Sequence, residues 1–138
     1  MSNTSLPRLK IEIPLFLSRV QAGFPSPADD YIEQSLDLND YLIKKPTSTF
    51  FMRVAGDSMK DAGIMNDDLL IVDRSLSAKH NTIVVAVINA EYTVKRLIKT
   101  KDKIFLAPEN KKYPVIEIKE GMDFEIWGVV TYVIHSAK

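Results

Sequence analysis

The chain has 138 residues, 46% of them hydrophobic and 26% charged, with 18 basic side chains matched by 18 acidic ones and no cysteine. That is enough apolar material for one domain with a real core, or one domain plus an arm. The balanced charge lacks the basic footprint of a DNA-gripping domain, the missing cysteines exclude disulfides and thiolate metal sites, and no apolar run approaches the roughly 18 residues that a membrane span needs.

The start, Met1-Ser2-Asn3-Thr4-Ser5-Leu6-Pro7, has no charged segment followed by an apolar core, so it does not read as a signal peptide. A soluble, cytoplasmic protein is expected. Pro7, Pro14, Pro25 and Pro27 then crowd the first part of the chain. Each removes a backbone donor and resists helix and central strand alike. Residues 1–30 therefore read as a mobile arm with little core of its own, with 11–17 extended and Gly23-Phe24-Pro25-Ser26-Pro27 a loop. Residues 31–138 read as the domain proper.

Asp37 caps a short predicted helix through Ile43, with Asp40 in its first turn and Lys44-Lys45-Pro46 closing it. Beyond it the pattern is mostly β. Strands are predicted over 49–54 and 69–73. Another covers 82–88, whose nearly continuous β-branched run implies burial on both faces. Asn89-Ala90-Glu91 turns tightly into a strand over 92–98, making a hairpin. Residues 104–107, 115–118 and 124–134 supply three more strands, and 59–63 one helical turn. The fold class is mostly β, compact, with few short helices.

Two stretches carry chemistry: Val54-Ala55-Gly56-Asp57-Ser58-Met59 and Thr93-Val94-Lys95-Arg96-Leu97. Gly56 permits a sharp turn, and a serine at such a corner presents its oxygen outward. Neighbouring amides at such a corner can converge on one point, as an oxyanion hole requires. Taken alone, Ser58 reads first as a turn residue or a helix N-cap. Strand alternation puts Thr93, Lys95 and Leu97 on one face and Val94, Arg96 and Ile98 on the other. One of the adjacent charges Lys95 and Arg96 then points inward. Lys95 alone reads better as a solvated residue on the wet side of a hairpin. If it faces inward without a counter-charge, desolvation lowers its pKa. The neutral amine can then take the Ser58 proton and later return it to a leaving nitrogen.

Other inventories are poorer. His80 sits in a polar turn and His135 near the C-terminus, and neither comes with an orienting carboxylate, so a Ser-His-Asp triad has little support. There is no His-Glu-x-x-His spacing and no Gly-rich phosphate loop. The pairs Asp29-Asp30 and Asp67-Asp68 read as solvated turns rather than metal sites. No metal or cofactor is expected.

Gly56-Asp57-Ser58-Met59, Gly63-Ile64-Met65-Asn66-Asp67-Asp68-Leu69-Leu70, Thr93-Val94-Lys95-Arg96-Leu97, Ala107-Pro108-Glu109-Asn110 and Gly128-Val129-Val130 together resemble the LexA–UmuD family of self-cleaving serine peptidases. The resemblance runs from about Pro14 nearly to the end. Other members commonly carry glycine where this chain has Asp67, which bears on the local turn. The resemblance implies strongly bent β-sheets, Ser58 as nucleophile and Lys95 as general base. It also implies self-cleavage between Ala22 and Gly23, where small side chains let an extended backbone enter a tight site; on its own, Ala22-Gly23 reads as a flexible loop.

Only the residues up to Ala22 precede that bond, too few for a helix-turn-helix domain, so the resemblance points to the family's arm-bearing branch rather than its repressors. That branch implies a homodimer. It also implies that a RecA filament on single-stranded DNA stimulates the cut, in the SOS response to DNA damage, and that the trimmed product is an accessory subunit to a UmuC-like, Y-family translesion polymerase. The competing expectations are a non-enzymatic dimeric partner-binding module and the C-terminal part of a LexA-like repressor.

Overall fold

The structure, a computed structural model, describes residues 9–138. It divides into two compact units, with the boundary between Lys44 and Lys45.

In the first unit, β1 (Ile13–Phe16) pairs antiparallel with β2 (Ile32–Leu36), and a bulge falls between Leu15 and Phe16. A two-stranded ribbon leaves both strands at an edge, which is why Pro14 is accommodated in β1. The segment expected to lie extended has therefore found a partner in the chain. That partner, β2, departs from the sequence expectation, because the polar middle of Ile32-Glu33-Gln34-Ser35-Leu36 gives a weak strand signal. Helix α1 (Leu38–Leu42) follows as expected. Asp37 is its N-cap and accepts from the Asn39 amide, while its second oxygen accepts from Ile11 N–H. No described residue of this unit is buried.

The second unit is one seven-stranded antiparallel sheet. It comprises β3 (Thr49–Arg53), β4 (Leu69–Asp73), β5 (Ile83–Ile88), β6 (Glu91–Lys99), β7 (Ile104–Ala107), β8 (Ile116–Ile118) and β9 (Phe124–Ile134) in the order β3-β4-β9-β5-β6-β7-β8. The last strand inserts between β4 and β5 and ties the two halves of the sheet together. Bulges interrupt its pairing on both sides, between Ile71 and Val72 of β4 and between Val85 and Ala86 of β5. Such bulges bend the strands that carry them.

Core forms on both faces. Val54, Met59, Ile64, Leu70, Val72 and Val85 make one buried cluster; Val84, Ala86, Leu97, Leu106 and Val129 make the other. Successive residues of β5, Val84 and Val85, belong to different clusters, so this strand is covered on both sides as its β-branched run predicts. Asn89 and Ala90 link β5 to β6 with φ of 49° and 69°, the left-handed pair a type I′ hairpin needs. No helix among the described residues is long and apolar enough to cross a membrane.

Candidate active site

Beyond Arg53 the chain leaves the edge strand and enters the loop that bears Ser58. The loop is pinned at several points. Val54 N–H donates to Asp68 O at 2.9 Å and Val54 O accepts from Asp67 N–H at 2.8 Å. Gly56, at φ +97°, donates its N–H to Asn66 Oδ1 at 2.8 Å. A side chain there would be strained, so the sharp turn depends on this glycine. Past Ser58, Met59 is buried to 1% exposure and a short 3-10 turn, Lys60–Ala62, ends at Gly63 with φ +80°.

The segment between β7 and β8 holds the other side of the loop. Glu109 N–H donates to Ser58 O at 2.8 Å, and Glu109 O accepts from Asp61 N–H at 2.8 Å. Asn110 Nδ2 donates to Asp57 O at 2.9 Å, and the Tyr113 hydroxyl donates to Asp57 Oδ1 at 2.7 Å. That last bond keeps the Asp57 carboxyl below its ordinary pKa and pushes the Tyr113 phenol up.

Lys95 reaches Ser58 from β6. It is only 8% exposed. Its Nζ lies 3.2 Å from Ser58 Oγ, 2.5 Å from Thr93 Oγ1 and 3.1 Å from Val94 O. No carboxylate among the described residues forms an ion pair with it. Burial without a counter-charge lowers its pKa. Three oxygens around one nitrogen also suit the neutral amine: two N–H groups serve Thr93 and Val94, and the lone pair remains for the Ser58 hydroxyl. Neighbouring Arg96 takes the opposite course. Its Nε meets Glu109 Oε1 at 3.0 Å and its Nη1 donates to Asn81 O at 2.6 Å. The expected division of the two adjacent charges is therefore found, with the lysine inward.

Beside Ser58 a cavity of about 190 Å³ opens between the end of β3 and the start of β6, lined by Met52, Val54, Ala55, Leu70, Tyr92 and Val94 among others. Arg53, Ser58 and Thr93 also line it, so its walls are polar and apolar in nearly equal measure. No acceptor among the described residues takes the amide hydrogens of Ser58 or Met59.

Ala22 and Gly23 belong to the first unit and are exposed there. His80 accepts from Lys99 N–H at 3.0 Å. His135, for which no orienting carboxylate was foreseen, sits 2.6 Å from Asp68 Oδ1. Asp68 itself corrects an expectation: half of the supposed solvated pair is only 3% exposed. Burial opposes its ionisation, but the Met65 amide and His135 overcome this and hold the carboxyl below its usual range. Among the residues around Ser58, Thr93 was legible from strand alternation with Lys95. The roles of Glu109, Asn110 and Tyr113 are not legible in the sequence, since nothing in a linear pattern says which distant loop will close on the serine.

A sequence profile of the Peptidase S24-like family matches residues 14–131. The chain is 50% identical to Protein MucA of Salmonella typhimurium over 121 residues, covering 87% of this chain and 82% of that one. It is 48% identical to Protein ImpA of Shigella flexneri over 130 residues, 91% of this chain and 85% of that one. It is also 41% identical to the LexA repressor of Albidiferax ferrireducens over 133 residues, 96% of this chain and 58% of that one. With most of its length matched in this way, the chain belongs to the peptidase S24-like family, the LexA–UmuD group of serine peptidases.

Proposed function

We propose that the chain cuts itself between Ala22 and Gly23 with Ser58 as nucleophile and Lys95 as general base. The observation that carries this reading is the 3.2 Å approach of Lys95 Nζ to Ser58 Oγ at a lysine that burial drives toward its neutral form. Neutral Lys95 takes the Ser58 proton as Oγ bonds to the Ala22 carbonyl carbon. The oxyanion so formed is met by the unengaged amides of Ser58 and Met59. Lys95 then gives its proton to Gly23 nitrogen as the peptide bond breaks, leaving Ala22 as an ester on Ser58. Water, deprotonated by Lys95, hydrolyses that ester and restores the serine. The substrate segment comes from the same subunit or from a partner's in a homodimer.

The relationship to MucA and ImpA supports a place in the cytoplasmic SOS response. On this reading a RecA filament on single-stranded DNA favours the reactive arrangement, and the product serves a Y-family, UmuC-like polymerase subunit in translesion synthesis.

Self-cleavage of the purified chain, followed by intact mass, tests the chemistry. Its rate rises with pH as the lysine loses its proton and levels off once Lys95 is neutral. Ser58→Ala stays intact, and Lys95→Ala nearly so, a loss on the order of 10²-fold or more. A rate flat from about pH 7 to 10 counts against Lys95 as the titrating base, and processing of either variant at the unmodified chain's rate ends the assignment. An uncut chain that still dimerises would mark a partner-binding module instead.

A further inference from the structure

A serine hydroxyl and a lysine amine react only if their separation is held to a fraction of an ångström. Ser58 sits on a loop outside the sheet, whereas Lys95 sits within a strand. Something has to keep the loop at its distance.

Resting on the assignment of Ser58 and Lys95 made above, we infer that Arg96 and Glu109 are positioning residues that set the nucleophile against its base. The backbone of Glu109 straddles the serine: its N–H donates to Ser58 O and its carbonyl accepts from Asp61 N–H, both at 2.8 Å. Where Glu109 lies is decided in turn by Arg96. In the sheet Arg96 pairs with Ala107, the last residue of β7, so the chain leaves that ladder beside the guanidinium. Arg96 Nε takes the Glu109 carboxylate at 3.0 Å, while Nη1 is anchored on Asn81 O at 2.6 Å. Consecutive residues of β6 thus reach the same serine by two routes. Lys95 meets its hydroxyl directly, and Arg96 meets its backbone carbonyl through Glu109. Asn110, bonded to Asp57 O at 2.9 Å, adds a second tie from the same segment.

The Arg96 and Glu109 side chains keep 28% and 33% of their surface in solvent. A pair that stays partly in solvent adds only modestly to overall stability. A misplacement of about 1 Å at a reacting atom, by contrast, costs on the order of 10²-fold in rate. The pair should therefore register in the reaction far more than in the melting temperature.

The test uses the full chain, with self-cleavage followed by mass across alkaline pH and thermal melts in parallel. Arg96→Ala and Glu109→Ala each slow cleavage by about tenfold or more, melt within about 4 °C of the unmodified chain, and keep its pH inflection. The double variant is no slower than the slower single one, because both act through one link. Glu109→Gln retains an acceptor for Arg96 and stays within roughly threefold. Alanine variants that cleave at the unmodified rate overturn the inference. So do a displaced pH inflection, which would mean the pair tunes the lysine proton, loss of folding, and a glutamine variant as slow as alanine. Cleavage by Ser58→Ala would instead sink the underlying assignment, whatever the Arg96 and Glu109 variants do.

Discussion

Burying the Lys95 ammonium beside Thr93, Val94 and Ser58, with no carboxylate opposite, lowers its pKa below that of the unfolded chain. The folded protein then releases this proton before the unfolded one does. Below the folded value both states are protonated and the full penalty is present. As pH climbs from there to about 10.4, the unfolded lysine's value, the penalty disappears. Lys95→Met should therefore be more stable by roughly 0.5–2 kcal/mol at neutral pH, with the advantage shrinking as pH rises, while cleavage is lost. Denaturant melts at several pH values read this directly. Asp67 is a second residue whose backbone is under load: φ is +71°, with its N–H on Val54 O and its C=O accepting from Arg53. Glycine adopts that geometry freely. Asp67→Gly should hold or raise stability by about 0.5–1 kcal/mol, and Asp67→Val should lower it by more than that. A glycine variant that melts well below the unmodified chain would show that the aspartate side chain contributes a contact of its own.

At the scale of elements, the critical crossing is β9 against β4. A Cβ built on Gly128 would lie 2.6 Å from Val72 Cγ1, with Arg74 Cγ at 3.4 Å. Val72 is wholly buried and belongs to the core cluster that contains Met59, the residue after the serine. Gly128→Ala should then cost about 1–3 kcal/mol by overpacking, read as a lower denaturant midpoint with unchanged slope. Val72→Ala in the same chain should recover part of that loss by making room. The absence of any recovery would place the strain elsewhere in the strand.

At the scale of the whole molecule, the buried apolar residues among those described run from Val54 to Val129, and the described residues up to Lys44 contribute none. Removal of the chain ahead of Gly23 therefore takes no described residue from the core. Cleaved and uncleaved protein should differ in stability by less than about 1 kcal/mol, measured as closely matching melts of Ser58→Ala and fully processed chain. A large drop would mean that the first residues support the sheet.

Much of this protein is legible in one dimension. Alternating and β-branched runs specified the strands of the sheet, Asp37 specified a helix cap, Gly56-Asp57-Ser58 specified a serine at a turn, and the period of β6 put Lys95 and Arg96 on opposite faces without saying which turned inward, because side-chain period and turn chemistry are local properties. What the chain's own order could not decide was anything that depends on which distant segments meet. Strand β2 exists by pairing with β1, Asp68 is buried because His135 and the Met65 amide close on it, and Glu109 matters because a loop past β7 lies against the serine. Those outcomes follow from packing and hydrogen bonds between residues tens of positions apart, so only the tertiary structure settles them.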